Sequence, residues 1–335
     1  MSNSSANKPI VAIIGGGPAG MSCALWLKQL GLSPYIIERN AALGGQLLNI
    51  DRINRWVLGL PWLTSVELAG RYGKHIGEEH IPIHYNTELK AIETTEQGYG
   101  LVLQKMAERN ETLMQVQALV IATGVRVLGR EVFSLTPGFD ALVAAGLVGC
   151  FPIDHLARIE SLRGRTVAVI GGGDNAHFTV KDVASAATRT YLLMRSSPKA
   201  QNSIRNEVAA LVDQGRVVEY QGTEVDAFRQ TQTGIEISLK QSGSIAARIN
   251  VDMVFTRIGF SPNSKFLETL GILATIDKQS AGYVLTDASQ RTSLASVYAI
   301  GDVACPSLQS VVTAIAGGAV AARAIADDLN TGGNV

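Results

Sequence analysis

The sequence predicts an α/β fold built from two strand, turn, helix, strand units, and three observations predict it. From Lys8 the run PIVAII is short, nearly all apolar and ends in glycine, as a parallel strand covered on both faces does. Gly15-Gly16-Gly17-Pro18-Ala19-Gly20 follows directly, and about 155 residues later the same order recurs as TVAVIGGGDNA at 166–176. After each Gly-rich turn comes a helical apolar period and then a second apolar strand, at 33–38 and at 189–194. A repeat this long is not a solenoid, whose period is roughly 20–50 residues. The two copies are therefore read as two Rossmann-like three-layer dinucleotide-binding domains.

The remaining elements follow in chain order. Pro18 suits a first helical turn, Cys23, Ala24, Leu27 and Leu30 keep helical spacing, and Gly31 can close that helix in a left-handed turn. Thr64 to Glu67 reads as a capping box for a helix to about Glu79, and 87–105 as antiparallel strands turning near Gly98. In the second unit a helix spans Ser203 to Gln214 and stops at Gly215, strands and hairpins fill 216–249, and 251–256 is a buried strand. A strand at 297–300 leads through Gly301-Asp302 to an Ala-rich helix over 309–329, which is expected to pack back on the first domain.

Composition narrows the function. With 29 Lys plus Arg against 29 Asp plus Glu, the chain lacks the cation excess whose counterion release drives binding to nucleic-acid backbones. Cys23, Cys150 and Cys305 make neither a paired disulfide framework nor a CxxC zinc site, which points to a reducing, cytoplasmic setting. His75, His80, His84 and His177 share no metal-ligand spacing with acids or thiols, so no metal is expected. The start, MSNSSANKP, reads as a polar tail without the pattern of a secretory signal. The apolar runs at 141–151 and 311–322 fall short of the roughly 18 residues a membrane span needs and are expected to be core segments.

The two turns carry the chemistry. Gly15, Gly17 and Gly20 form GxGxxG, and Glu38 stands 18 residues further on, at the end of the second strand. Glycines let the backbone approach a pyrophosphate, the helix start offers unpaired N–H groups, and the carboxylate accepts ribose hydroxyls. The second copy, with Gly171, Gly173, Asp174, Asn175 and Ala176, has the GxGxxA form but no partner acid. Arg195 and Lys199 stand there instead, a pattern that favours NADPH over NADH.

These residues bring the chain close to a known family. IIGGGPAG at 13–20, Glu38, Gly44-Gly45-Gln46-Leu47, INRWVLGLP at 53–61, IATG at 121–124, VIGGGDNA at 169–176 and AIGDV at 299–303 resemble, in order and spacing, the thioredoxin reductase family of flavoproteins. The resemblance implies an FAD-binding domain formed by 1–117 and 251–335, with an inserted NAD(P)H-binding-like domain at 118–250. FAD would lie on Gly15, Gly17, Pro18, Ala19 and Gly20, with Glu38 and Arg39 near its ribose. Gly45, Gln46, Ala122, Thr123, Gly124, Gly301, Asp302, Gln309 and Ser310 would complete its site. The resemblance further implies a homodimer, and a hinge near 118–125 and 250–258. Trp56 and Trp62, beside the flavin-side loop, are expected to be packing residues.

The departures bear most on function. The family carries a CxxC-Asp run before the second dinucleotide strand; here Cys150-Phe151-Pro152-Ile153-Asp154 keeps one Cys and the Asp. A single thiol closes no internal disulfide, so the dithiol relay should fail. Cys150 and Asp154 remain the catalytic candidates, the first as a thiol or a small buried hydrophobe, the second as an acid beside His155. Where NADPH-dependent members of that family carry a His-Arg-Arg run and a further Arg, this chain has Met194-Arg195-Ser196 and Lys199, which leaves three readings open: NADPH, a second adenine dinucleotide such as FAD, or no nucleotide, with electrons entering from a protein donor. Three functions follow. The first is a flavin oxidoreductase passing electrons from NADPH or another donor to a redox protein or small acceptor. The second is an NADPH-independent, ferredoxin-linked or second-flavin disulfide oxidoreductase with a thioredoxin-like or ferredoxin-like partner. The third is a non-catalytic flavin-binding redox sensor. Ferredoxin-NADP reductases also resemble the chain and lack CxxC.

Overall fold

The computed structural model describes residues 8–50, 52–108 and 110–331; the N-terminal tail to residue 7 and the last four residues lie outside them. The described chain forms two compact units, one from the residues up to Arg126 together with those from Ser261, the other from Val127–Phe260.

In the first unit a five-stranded parallel sheet has the order 297–299, 118–121, 10–14, 33–37, 83–84. Side chains of a strand alternate between faces, and the central strand Ile10–Ile14 shows both faces buried. Val11 and Ile13 pack with Leu27, Ile36, Ile76 and Ile325, on the side of the helices Pro18–Gln29, Ser65–Glu78 and Val311–Thr331. Ala12 and Ile14 pack with Leu101, Leu103 and Val116 of an antiparallel sheet formed by 87–95, 98–105 and 111–116. These are the three layers. Gly31, at φ +87°, ends the first helix as expected, with Leu32 N–H donating to Leu27 O. Thr64 and Glu67 form the reciprocal capping box.

The second unit repeats the plan. Its parallel sheet runs 217–221, 189–194, 166–170, 253–256, 148–149. Val167, Val169 and Leu192 meet Val180, Val183 and Val208 of the helices Asp174–Ala184 and Asn202–Asp213. On the other face Ala168, Ile170 and Leu193 meet Phe228, Ile237, Leu239 and Ile249 of the antiparallel sheet 224–231, 234–241, 244–251.

Four expectations change. The units exchange at 126/127 and 260/261, later than 117/118 and 250/251, because Ala118–Ile121 pairs with Ile10–Ile14 while Met253–Thr256 pairs with Thr166–Ile170. The hinge expected near 118–125 and 250–258 therefore falls on central strands. The chain passes between the units through Val125–Val127 and Phe260–Pro262, which form a two-stranded ribbon. The run 141–151 is no continuous core segment: only Leu142, Val148 and Gly149 in it are buried, and Phe151 is exposed. Trp56 and Trp62 are each 72% exposed, so neither is a packing residue within this chain.

Candidate functional site

In the first unit the glycine turn joins the central strand to the first helix. Gly15 has φ +114°, and a Cβ there would stand 2.4 Å from Ala122 O; a Cβ on Gly20 would meet Gly15 O at 2.0 Å. Both positions demand glycine, Gly15 so that the turn closes on the segment after the neighbouring strand and Gly20 so that the helix closes on the turn. Gly17 is different. Its backbone is extended, and a Cβ would meet nothing nearer than Gly45 Cα at 4.0 Å. The helix it opens has no side-chain cap, Pro18 in its first turn and no acidic residue there, so its free N–H groups face that opening and suit an anion.

The other walls come from distant segments. Glu38, only 4% exposed, accepts from Gly16 N at 2.7 Å through Oε2, and from Asn40 N and Nδ2 at 2.8 Å through Oε1. Gly44 N donates to Gly16 O at 2.9 Å, which sets Gly45 against Gly17. Gln46 Nε2 donates to Val125 O at 2.6 Å, while its Oε1 is buried with no partner among the described residues. Ala122 N donates to Ile14 O, and Thr123 and Gly124 are held by Asn263 through three bonds of 2.7–3.0 Å. A Cβ on Gly301 would lie 2.7 Å from Ala19 Cβ, which brings Asp302 to the same edge. Burial pushes the Asp302 carboxyl up to about 6.

The structure thus gathers Gly15, Gly17, Pro18, Ala19, Gly20, Glu38, Gly45, Gln46, Ala122, Thr123, Gly124, Gly301 and Asp302 around one opening. Gln309 and Ser310 lie at the start of the C-terminal helix: Gln309 Nε2 donates to Tyr283 OH at 3.0 Å, and Ser310 Oγ accepts from Thr313 N at 3.2 Å as its cap. Arg39 is exposed. Asn40 and Asn263 brace the site and were not singled out in the sequence; a polar amide two residues past the strand-ending acid, and one in the SPN run at 261–263, were the available signals.

In the second unit Gly171 has φ +144°, and a Cβ would stand 2.1 Å from Arg257 O, whereas a Cβ on Gly173 meets nothing within 4 Å. Asp174 is tied to Gln201, whose N and Nε2 donate to it at 2.7 and 2.9 Å. The segment after the second strand folds over the turn, with Lys199 N donating to Gly172 O at 2.7 Å. Ala176 is buried under the turn, Asn175 half-buried, and Arg195 and Lys199 are exposed beside it. His177, which the sequence showed only as lacking metal partners, is buried and braces the turn, with Nδ1 donating to Gly173 O at 3.0 Å.

The same unit holds Cys150, half-buried, a free thiol like Cys23 and Cys305. Asp154 does not stand free beside it. Its Oδ1 accepts from Arg257 Nη2 at 2.7 Å and its Oδ2 from Phe151 N at 2.9 Å. His155 is 0% exposed and is bonded to Asp182 Oδ2 at 2.9 Å. Arg257, 5% exposed, was not read from the sequence, where it sits inside the apolar run VFTRIGF. Among the described residues no group of His, Cys, Asp and Glu is placed to hold a metal, and no helix is long and apolar enough to cross a membrane.

Two glycine turns with uncapped openings, each on a parallel sheet, agree with comparison to known proteins. The family described as pyridine nucleotide-disulphide oxidoreductase matches residues 9–318. The chain belongs to that family. It is an oxidoreductase with a thioredoxin reductase-like fold. It is 29% identical over 326 residues to the thioredoxin reductase of Listeria innocua, covering 93% of this chain and 91% of that one. It is 25% identical over 321 residues to an alkyl hydroperoxide reductase from Escherichia coli (strain K12); there it covers 95% of this chain but spans only 58% of the relative. The crystal structure of Lactococcus lactis thioredoxin reductase superimposes with a TM-score of 0.79 at 22% identity, covering 97% of this chain and all of that one. At that identity the likeness concerns the fold.

Proposed function

We propose that the chain is an FAD-dependent oxidoreductase of thioredoxin reductase type. Electrons pass from NADPH, or another donor, to a redox protein or small acceptor without a CxxC dithiol. The observation that carries this reading is the open space at Gly17, where an added Cβ would meet nothing nearer than Gly45 Cα at 4.0 Å, at the start of an uncapped helix. The uncapped helix N–H groups, Gln46 Oε1, buried without a partner among the described residues, and the desolvated Asp302 carboxyl supply donors and acceptors for a ligand. An elongated anion bearing hydroxyl and N–H donors fits that set, and FAD is such a molecule.

FAD, when bound, supplies the capacity to take up a hydride and release electrons onward. The chain's own residues do the rest. The N–H groups at the start of the first helix would hold the pyrophosphate, Glu38 would offer lone pairs to ribose hydroxyls, Asp302 would accept from the hydroxylated linker, and Gln46 Oε1 would take an N–H donor. In the second unit the open Gly173 and the exposed Arg195 and Lys199 support a dinucleotide carrying a 2'-phosphate. Cys150 stands without a second thiol within three residues, which supports an exit for electrons other than an internal disulfide. The resemblance supports a homodimer with a thioredoxin-like or ferredoxin-like partner.

The test is an anaerobic titration of the purified protein with NADPH, NADH and dithionite, with flavin counted per chain. One flavin per chain, bleached by micromolar NADPH, is the expected result. A flavin reduced by dithionite alone points to a donor other than a pyridine nucleotide, and two flavins per chain reassign the second turn.

A further inference from the structure

Buried arginine is costly unless every donor is met, and Arg257 meets all five. Nε donates to Thr179 Oγ1 at 3.0 Å, Nη1 to Gly149 O at 3.1 Å and Thr256 O at 2.9 Å, and Nη2 to Asp154 Oδ1 at 2.7 Å and His155 Nδ1 at 3.3 Å. Because His155 Nδ1 accepts, its Nε2 carries the proton donated to Asp182. The guanidinium also lies 5.3 Å from the centre of the Phe255 ring.

The arrangement brackets Cys150. On one side Gly149 gives its carbonyl to Arg257; on the other Phe151 N is held by Asp154, which Arg257 holds in turn. No side chain fits at Gly149, where a Cβ would come within 2.6 Å of Asp154 Oδ2 and of the Phe255 ring. Gly129 packs against Cys150 itself, a Cβ there standing 2.9 Å from Cys150 Cβ. The backbone of Arg257 meanwhile abuts the second glycine turn: its N donates to Ile170 O at 2.7 Å and its carbonyl faces Gly171.

We propose that Arg257 is a positioning residue that sets the Cys150 turn, fixing the presentation and reactivity of the thiol from a strand end shared with the second glycine turn. This deepens the oxidoreductase reading above, on which it rests for the purpose of the turn. A lysine keeps the charge but offers three donors from a single atom and cannot reach the five acceptors that the three guanidinium nitrogens meet.

The test is alkylation of the full-length, flavin-loaded protein by iodoacetamide, with the rate at each cysteine read by peptide mass spectrometry in the parent, Arg257→Gln and Arg257→Lys. The rate at Cys150 is expected to change by at least about threefold in Arg257→Gln and by less in Arg257→Lys, while the rate at Cys305 stays within about 1.5-fold. An unchanged Cys150 rate in folded Arg257→Gln overturns the proposal; where that variant does not fold, an unchanged rate in Arg257→Lys does so. Equal changes at Cys150 and Cys305 also overturn it, since they report general loosening. Labelling needs neither nucleotide nor turnover, so a protein that NADPH fails to reduce still answers this question separately.

Discussion

Gly17 and Gly20 share one turn, yet their single hydrogens serve different ends. At Gly20 an added methyl meets Gly15 O at 2.0 Å, so Gly20→Ala should lose about 1–3 kcal/mol of stability through overpacking. At Gly17 the methyl finds open space beside Gly45, so Gly17→Ala should stay within about 1 kcal/mol of the parent yet lose bound flavin. Melting curves and the 450 nm absorbance of the purified variants check both. Asp302 offers a second residue-scale test. Its folded value of about 6 lies above the ordinary 3.8, so between these values the folded chain holds a proton the unfolded chain has released. The group's stabilising contribution is full below the unfolded value and lost as pH rises through about 6. Asp302→Asn removes that loss. In flavin-free protein its stability relative to the parent should rise by about 1–2 kcal/mol from pH 5 to pH 8, measured by urea unfolding, while its flavin affinity falls. A constant difference across that range would contradict the assignment.

Among the elements, the C-terminal helix shows how a packing requirement supports a site. A Cβ on Gly318 would lie 2.5 Å from Ala19 O and 2.8 Å from Cys23 N, both backbone atoms of the first helix, so at this point the two helices touch backbone to backbone. Gly318→Ala should push them apart at about 1–3 kcal/mol, and because Gly317 approaches Gly301 N, flavin retention should fall with it. Thermal unfolding and flavin content of that variant check this; loss of stability with full flavin content would separate the two effects. Such contacts also explain what the sequence made legible. Turns, caps and strand periodicity are local, so Gly31, the Thr64 box and the two glycine turns could be read directly. The third strand of the first antiparallel sheet, Glu111–Val116, could not, because Glu111, Thr112 and Leu113 are exposed and the alternation that marks a half-buried strand is weak. Arg257 escaped for a related reason. A cation within an apolar run reads as an interruption until the fold brings Thr179, Gly149 and Asp154 around it, from positions 78, 108 and 103 residues away.

At the scale of the whole molecule, each unit is closed by its own residues. The five parallel strands, the antiparallel sheet and both hydrophobic clusters of the second unit come from within 127–260, which is the condition for a domain that folds alone. The first unit meets the same condition only by joining two stretches far apart in sequence, and its central sheet takes Val297–Ala299 from the far one. A fragment of residues 127–260 is therefore expected to unfold in one cooperative transition, followed by circular dichroism against urea. If FAD belongs to the first unit, that fragment will be colourless when purified beside a yellow parent. If a pyridine nucleotide belongs to the second, NADPH will shift the backbone amide resonances of 171–176 and 195–199 in the fragment, and FAD will not. A fragment that folds and carries flavin would move the proposed cofactor from one turn to the other, while a folded fragment that ignores both ligands would leave electrons to enter from a protein donor.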